Sequence, residues 1–346
     1  MSTYALLPRA SANRVYGEAT FALTAAELAV LDRTQLGSTI DSSLREPIGG
    51  VDYLVLETRE SLTTAQLAIV ANLSSIHAIF EVVGEMLRPC VLTPVVHMDD
   101  DVVSIQRYSG KTNEAFTHLL VNVALAHSGD ALDRLVRGER VRLLDPACGR
   151  GTSLNRGVVY GMDAVGIELD QRDVEAYTQF ILTWMKDKRL KHELAQAKLR
   201  KGRDTPAHRI TVTYGRGKDR STHRVVDIIH DDTLNARSHL KARTVDLVVC
   251  DLPYGVQHGA QAPGARLDRG PAGLLRDALP VWFDLMVPGA AMALAWNRHT
   301  MARDVLEDVV IEAGFDLCAT RGDDAFVHRV DRSILRDVLV AARPAA

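Results

Sequence analysis

Cysteine is scarce in this sequence: four residues, at 90, 148, 250 and 318, with no CxxC spacing and no clustered histidine partners. That argues against both a zinc site and a disulfide framework, and it points to a reducing, cytoplasmic setting. A membrane-spanning run is also missing. The longest uncharged stretch, Ser61 to Phe80, carries eight polar residues, too many for a bilayer span. The first residues, Met-Ser-Thr-Tyr-Ala-Leu-Leu-Pro-Arg, lack a basic segment followed by an apolar core, so no secretory signal is read there and the chain is expected to be soluble. No internal repeat or low-complexity segment is visible. What remains is 346 residues, 47% of them hydrophobic, enough for a sizeable core and about two domains.

Lysine is absent from residues 1–105, which hold six arginines against 13 acidic residues. The overall charge of −3 disfavours a polyanionic partner only if charge is evenly spread, and it is not. Residues 186–224 carry 13 Lys+Arg and 4 Asp+Glu, or +9, leaving 28 basic and 40 acidic residues, or −12, elsewhere. A solvated helix face is the bland reading of such a run. Its contrast with an otherwise acidic chain favours a phosphate-tracking surface, with Lys198, Arg200, Lys201, Arg203, Arg209, Arg216, Lys218 and Arg220 as its candidates.

Residues 1–105 read as short strands alternating with helices, a small α/β or α+β domain. Tyr53 to Glu57 is a strand, Leu62 to Asn72 a helix and Ile76 to Val83 a further strand. The charged run Met98 to Val102 marks a domain boundary. From Thr112 to Ala126 the apolar spacing is helical, with Thr112 or Asn113 as N-cap. Strands follow at Val141 to Pro146, Asp163 to Glu168, Val245 to Cys250, Ala290 to Trp296, Asp316 to Thr320 and Ile334 to Ala341. Gln171 to about Lys201 reads as one long helix, Arg209 to Ile229 as a hairpin about Gly215 to Ser221, and Gly273 to Phe283 and Met301 to Ala313 as helices. Residues 106–346 are therefore expected to form a doubly wound, Rossmann-like, largely parallel sheet whose last two strands pair antiparallel.

Asp145-Pro-Ala-Cys-Gly-Arg-Gly-Thr152 joins the first of those strands to a helix, where glycines admit a ligand and the helix offers free N–H groups. Glu168 ends the next strand 17 residues after Gly151, in place to accept hydrogen bonds from ribose hydroxyls. Leu154 replaces the third glycine of a pyrophosphate fingerprint, and no Lys-Ser/Thr pair follows, so an adenosyl cofactor is favoured over a dinucleotide or ATP. At the end of a later strand, Asp251-Leu-Pro-Tyr254 has the chemistry for an exocyclic amine. The carboxylate and the Leu252 carbonyl accept both amine protons and localise the nitrogen lone pair, while Tyr254 holds an aromatic base flat.

The two motifs together resemble those of class I S-adenosylmethionine-dependent amino-methyltransferases. Asp251-Leu-Pro-Tyr-Gly255 looks most like the tRNA guanosine-N2 methyltransferases usually joined to an N-terminal THUMP domain, a likeness covering about residues 105–340. The resemblance implies S-adenosyl-L-methionine as cofactor, with Asp145 at its methionine end, Glu168 at the ribose and Asp232 or Asp231 at the adenine amino group. It adds Thr112 and Phe116 of the Tyr108 to Thr117 segment as cofactor contacts, beside Pro146, Cys148, Gly149, Gly151 and Thr152 of the turn. Asp251, Leu252, Pro253 and Tyr254 become the catalytic set. The implied partner is RNA, tRNA first, or else DNA, and no metal is expected.

Two departures stand out: the first 105 residues are acidic where a THUMP domain binds tRNA, and the basic insertion is foreign to the minimal fold. The alternatives are a DNA adenine-N6 or cytosine-N4 methyltransferase, a small-molecule or protein-amide methyltransferase, and a non-catalytic RNA-binding module. Cys148 and Cys250, with no nucleophile constellation around them, read as small buried residues. The three tryptophans read as core and His258 as an incidental loop residue. The glycine- and proline-rich stretch Gly259 to Gly273 reads as a lid.

Overall fold

The computed structural model describes residues 1–9, 14–199, 207–253, 271–319, 322 and 324–345, the side chains of Arg14 and Val15 excepted. Tyr254, Gly255, His258, most of the Gly259 to Gly273 stretch, and Arg200, Lys201 and Arg203 fall outside the described residues.

The first region runs β1 (Ser2–Pro8), α1 (Arg14–Leu31), β2 (Ile40–Ile48), β3 (Val51–Thr58), α2 (Thr64–Val70), β4 (Ile76–Val83) and β5 (Met86–Pro89). Its five strands are ordered β2-β3-β1-β4-β5 and every neighbouring pair is antiparallel, which decides for α+β over α/β. α2 starts where its sequence says it should: Thr63 and Gln66 form a reciprocal capping box. α1 has no apolar 3.6-residue stripe to betray it: its outward face carries Ala22, Ala25 and Ala29 beside Glu18, while Thr20, Thr24 and Glu27 are buried on the inward one.

The charged run at 98–102 is an anchor as well as a break. It opens α3 (Asp101–Ile105), with Met98 and Val102 buried beneath. α4 (Glu114–His127) follows, capped by the Asn113 side chain on the N–H groups of Ala115 and Phe116. Then come α5 (Ala131–Val136), β6 (Arg142–Asp145), α6 (Thr152–Tyr160), β7 (Asp163–Glu168) and α7 (Gln171–Asp187).

Here the chain departs from the expected long helix. α7 stops at Asp187, Arg189 takes a left-handed φ of 54°, and Lys191–Leu199 becomes a strand, β8. Its sequence, KHELAQAKL, is rich in helix formers, but the open edge of β9 (Ala207–Gly215) supplies a ladder that overrides propensity. β10 (Arg224–His230) closes the expected hairpin with β9. β11 (Val245–Asp251), α8 (Pro271–Leu285), β12 (Met286–Asn297), α9 (Arg303–Glu312), β13 (Asp316–Leu317), β14 (His328–Arg329) and β15 (Leu335–Ala342) complete the chain.

The ten-stranded sheet is ordered β13-β15-β12-β11-β6-β7-β10-β9-β8, with β14 on β15. β12, β11, β6, β7 and β10 are parallel, and β15 is antiparallel to β12, so the expected doubly wound sheet with its reversed last strand is present. α4, α6 and α7 bury one face and α8 and α9 the other. The strand order reverses between β6 and β11, the place where open α/β sheets bind ligands.

Candidate active site

Four carboxylates end four neighbouring strands at this reversal: Asp145 on β6, Glu168 on β7, Asp231 just beyond β10 and Asp251 on β11. The turn after β6 is shaped by steric necessity. Gly149 and Gly151 have φ of 49° and 74°, where a side chain is strained. A Cβ on Gly151 would also lie 2.4 Å from the buried Tyr177 ring. Cys148 packs against Gly166, whose Cβ would sit 2.6 Å from the sulfur; it is a filler, and burial pushes its thiol well up.

Glu168 folds back on the turn, accepting from the Gly149 N–H at 2.8 Å and the Asp170 N–H at 2.8 Å. Asp145, 5% exposed, accepts from the Ser153 hydroxyl and from the Ala147 N–H at 3.1 Å. Burial, together with the nearby Asp251 and Glu168 charges, raises its carboxyl to about 7. Thr152 exchanges a hydrogen bond with the Tyr108 hydroxyl at 2.9 Å, and the Arg150 guanidinium lies 5.1 Å from the Tyr108 ring centre. Pro146 is buried behind the turn.

Asp231 is drawn inward, accepting from Asn235 and the Asp232 N–H and meeting His239 Nε2 at 2.6 Å. Asp232 caps the short helix Thr233–Ser238 through the Leu234 N–H and is half-buried.

Of the two pre-sheet residues, Thr112 faces Asp251 and Phe116 is enclosed. Thr112 donates to Asp251 Oδ2 at 2.6 Å, so it serves the carboxylate of the amine motif. Phe116 is 0% exposed, its ring covered by the Arg336 guanidinium at 4.6 Å and His328 at 5.0 Å, which leaves no face for a cofactor. Arg336 NH2 approaches Asp251 Oδ2 at 3.5 Å. Leu252 is buried and its N–H is bound by the Ala295 carbonyl at 2.8 Å, while Pro253 is exposed. Ser153, Arg336 and His239 had no motif to announce them. Trp184, Trp282 and Trp296 are all core, each with its indole N–H bonded.

The basic residues are not gathered into one surface. Lys198 pairs in register with His208, and His208 with His230, which lies beside Glu168 at the carboxyl edge of the sheet. The turn bearing Arg216, Lys218 and Arg220 is at the other end of β9, roughly 27 Å away for a strand of this length. Arg216 faces Asp99 at 3.9 Å, Arg220 binds Glu193 at 2.7 Å, and Lys218 is exposed. Arg209 is committed to the buried Asp227 at 2.5 Å, and Lys188 bridges Asp99 and Asp101. Among the described residues no group of three or more metal-ligating side chains occurs, and no helix is long and apolar enough to cross a membrane.

No family model and no curated protein matches the chain. Solved structures similar to it include TrmN from Thermus thermophilus, at 11% identity and TM-score 0.40, over 99% of this chain and 100% of that one. A TehB-like SAM-dependent methyltransferase from Corynebacterium glutamicum shares 15% identity at TM-score 0.34, over 67% of this chain and 100% of its own. An rRNA methylase from Streptococcus thermophilus shares 10% at TM-score 0.35, over 61% and 93%. Likenesses this distant say nothing about substrate, and the functional reading rests on the site itself.

Proposed function

We propose that the chain is an S-adenosyl-L-methionine-dependent N-methyltransferase acting on an exocyclic base amine in RNA, guanosine N2 of tRNA foremost. The observation that carries the reading is the convergence of Asp145, Glu168 and Asp251 around a glycine turn at the reversal of strand order. The donor set suits the cofactor. The Cβ-free turn at Gly149 and Gly151 admits close approach, Glu168 suits ribose hydroxyls, and Asp145 is a carboxyl that a bound ammonium would ionise. Asp232, half-buried, is better placed than the inward-drawn Asp231 to meet an adenine amine.

When bound, the cofactor supplies a methyl group on a sulfonium that leaves as a neutral thioether. Asp251 and the Leu252 carbonyl accept the two amine protons and direct the nitrogen lone pair at the methyl carbon. Once the N–C bond forms, the nitrogen is cationic, and Asp251 takes its extra proton for transfer to water. Tyr254 stacks on a base splayed from its helix. Lys198, and with it in sequence Arg200, Lys201 and Arg203, supports a nucleic-acid substrate, because Lys198 stands at the same sheet edge as Glu168.

The test is incorporation of labelled methyl from the cofactor into total tRNA, rRNA and DNA, followed by nucleoside analysis. Label in N2-methylguanosine of tRNA is the expected result. Incorporation into DNA alone overturns the RNA reading, and full activity of Asp251→Ala overturns the mechanism.

A further inference from the structure

Asp251 is gripped by two side chains far from it in sequence. Thr112, at the entry to α4, donates to Oδ2 at 2.6 Å, and Arg336, on the antiparallel β15, reaches the same oxygen at 3.5 Å. The Arg336 side chain is only 6% exposed, against 23% for Asp251. Its guanidinium is stacked 4.6 Å from the ring centre of the fully buried Phe116. His328, in register with Arg336 on β14, is held neutral at pH 7: burial lowers its pKa to about 4. Among the described residues Arg336 is therefore a cation facing Asp251 from this side, offsetting the negative charge that Asp145 and Glu168 bring from β6 and β7. Desolvated, hydrogen-bonded charges in fixed geometry orient one another far better than exposed pairs do.

We propose that Thr112 and Arg336, with Phe116 as platform, are positioning residues that pin Asp251 by Oδ2 and present Oδ1 to the amine. This deepens, and rests on, the amine-methylation reading. The pre-sheet segment then acts on the target side of the reaction. A carboxylate turned by an ångström loses its alignment with the lone pair, and such misplacement costs up to about 100-fold in rate.

The experiment measures kcat, KM for RNA, cofactor Kd and thermal stability for T112V, T112S, R336Q and R336K in the full chain, beside D251A. T112V and R336Q are expected to lower kcat between about 10- and 100-fold, with KM and cofactor Kd within about 3-fold of wild type. T112S should restore most of the rate and R336K part of it. Unchanged kcat in T112V and R336Q, a loss confined to KM or cofactor binding, or absence of rescue by T112S overturns the inference while leaving the reaction intact, provided D251A is inactive. An active D251A overturns the reaction itself. Thr112 is half-buried, so T112V carries the test if R336Q does not fold.

Discussion

The two ends of the large sheet are built on opposite electrostatic plans. At the carboxyl end, acids are brought together and satisfied by N–H groups, hydroxyls and a stacked guanidinium, with little direct pairing to exposed cations. At the other end, cations are dispersed among acids: Arg220 with Glu193, Arg216 with Asp99, Arg140 with Asp163. The first arrangement stores unfavourable charge where a cationic ligand can relieve it. The second is worth little beyond solubility. The +9 count over residues 186–224 thus describes two surfaces, and only one of them shares an edge with Asp145, Glu168 and Asp251.

The contrast is most easily broken at its extremes. Asp251→Ala should lower kcat by about 1,000-fold with cofactor binding retained, in a calorimetric titration paired with a methyl-transfer assay. A Lys218→Ala/Arg220→Ala double variant measured alongside should match wild type within about 2-fold, and a large loss there would erase the distinction.

Glycines sharpen it next. Gly151→Ala drives a Cβ into the Tyr177 ring at φ 74° and should cost about 3 kcal/mol by urea denaturation. Gly217→Ala, at φ 85° in the opposite turn with nothing within 4 Å, should cost only about 1 kcal/mol.

The pH dependence of stability comes third. Asp145 and Glu27, both raised to about 7 chiefly by burial, keep protons in the folded chain that the unfolded chain releases near pH 4. The native state binds more protons between these values, so their contribution is full below about pH 4 and is lost as pH rises through about 7. Asp145→Asn and Glu27→Gln should each flatten the fall of stability over that window by up to about one proton.

The smallest effect is Lys198→Ala. It should reduce the slope of log RNA affinity against log salt by about one unit, where Lys218→Ala leaves it unchanged.

Legibility in the sequence followed the range of the interaction. Asp145 to Thr152 announces itself because two left-handed backbone positions demand glycine within one turn, and the α4 cap lies within three residues of the N–H groups it accepts from. The β8 segment reads as helix in sequence because its strand conformation is set by β9, through pairs as far apart as Lys191 and Gly215. α1 gives no period because alanines fill its outward face while Thr20, Thr24 and Glu27 are buried. Arg336 sits in LRDVLVAA, an unremarkable strand, and its meeting with Asp251 across 85 residues arises only when β15 inserts against β12. The sequence separates basic from acidic segments, but which end of a hairpin a lysine occupies depends on strand direction.

One core joins Tyr4, Leu28 and Leu56 of the first region to Phe116, Leu120 and Leu154 of the second. Glu27, 0% exposed, finds its fourth hydrogen bond only in Asn122 of α4, which in turn accepts from the Tyr160 hydroxyl. During synthesis the five-stranded sheet leaves the ribosome ahead of α4, with an apolar helix and a buried acid still without their cover. The amino-terminal third is thus not an appendage that could be clipped off or exchanged at will; its core is closed by the helix whose entry residue, Thr112, bonds Asp251.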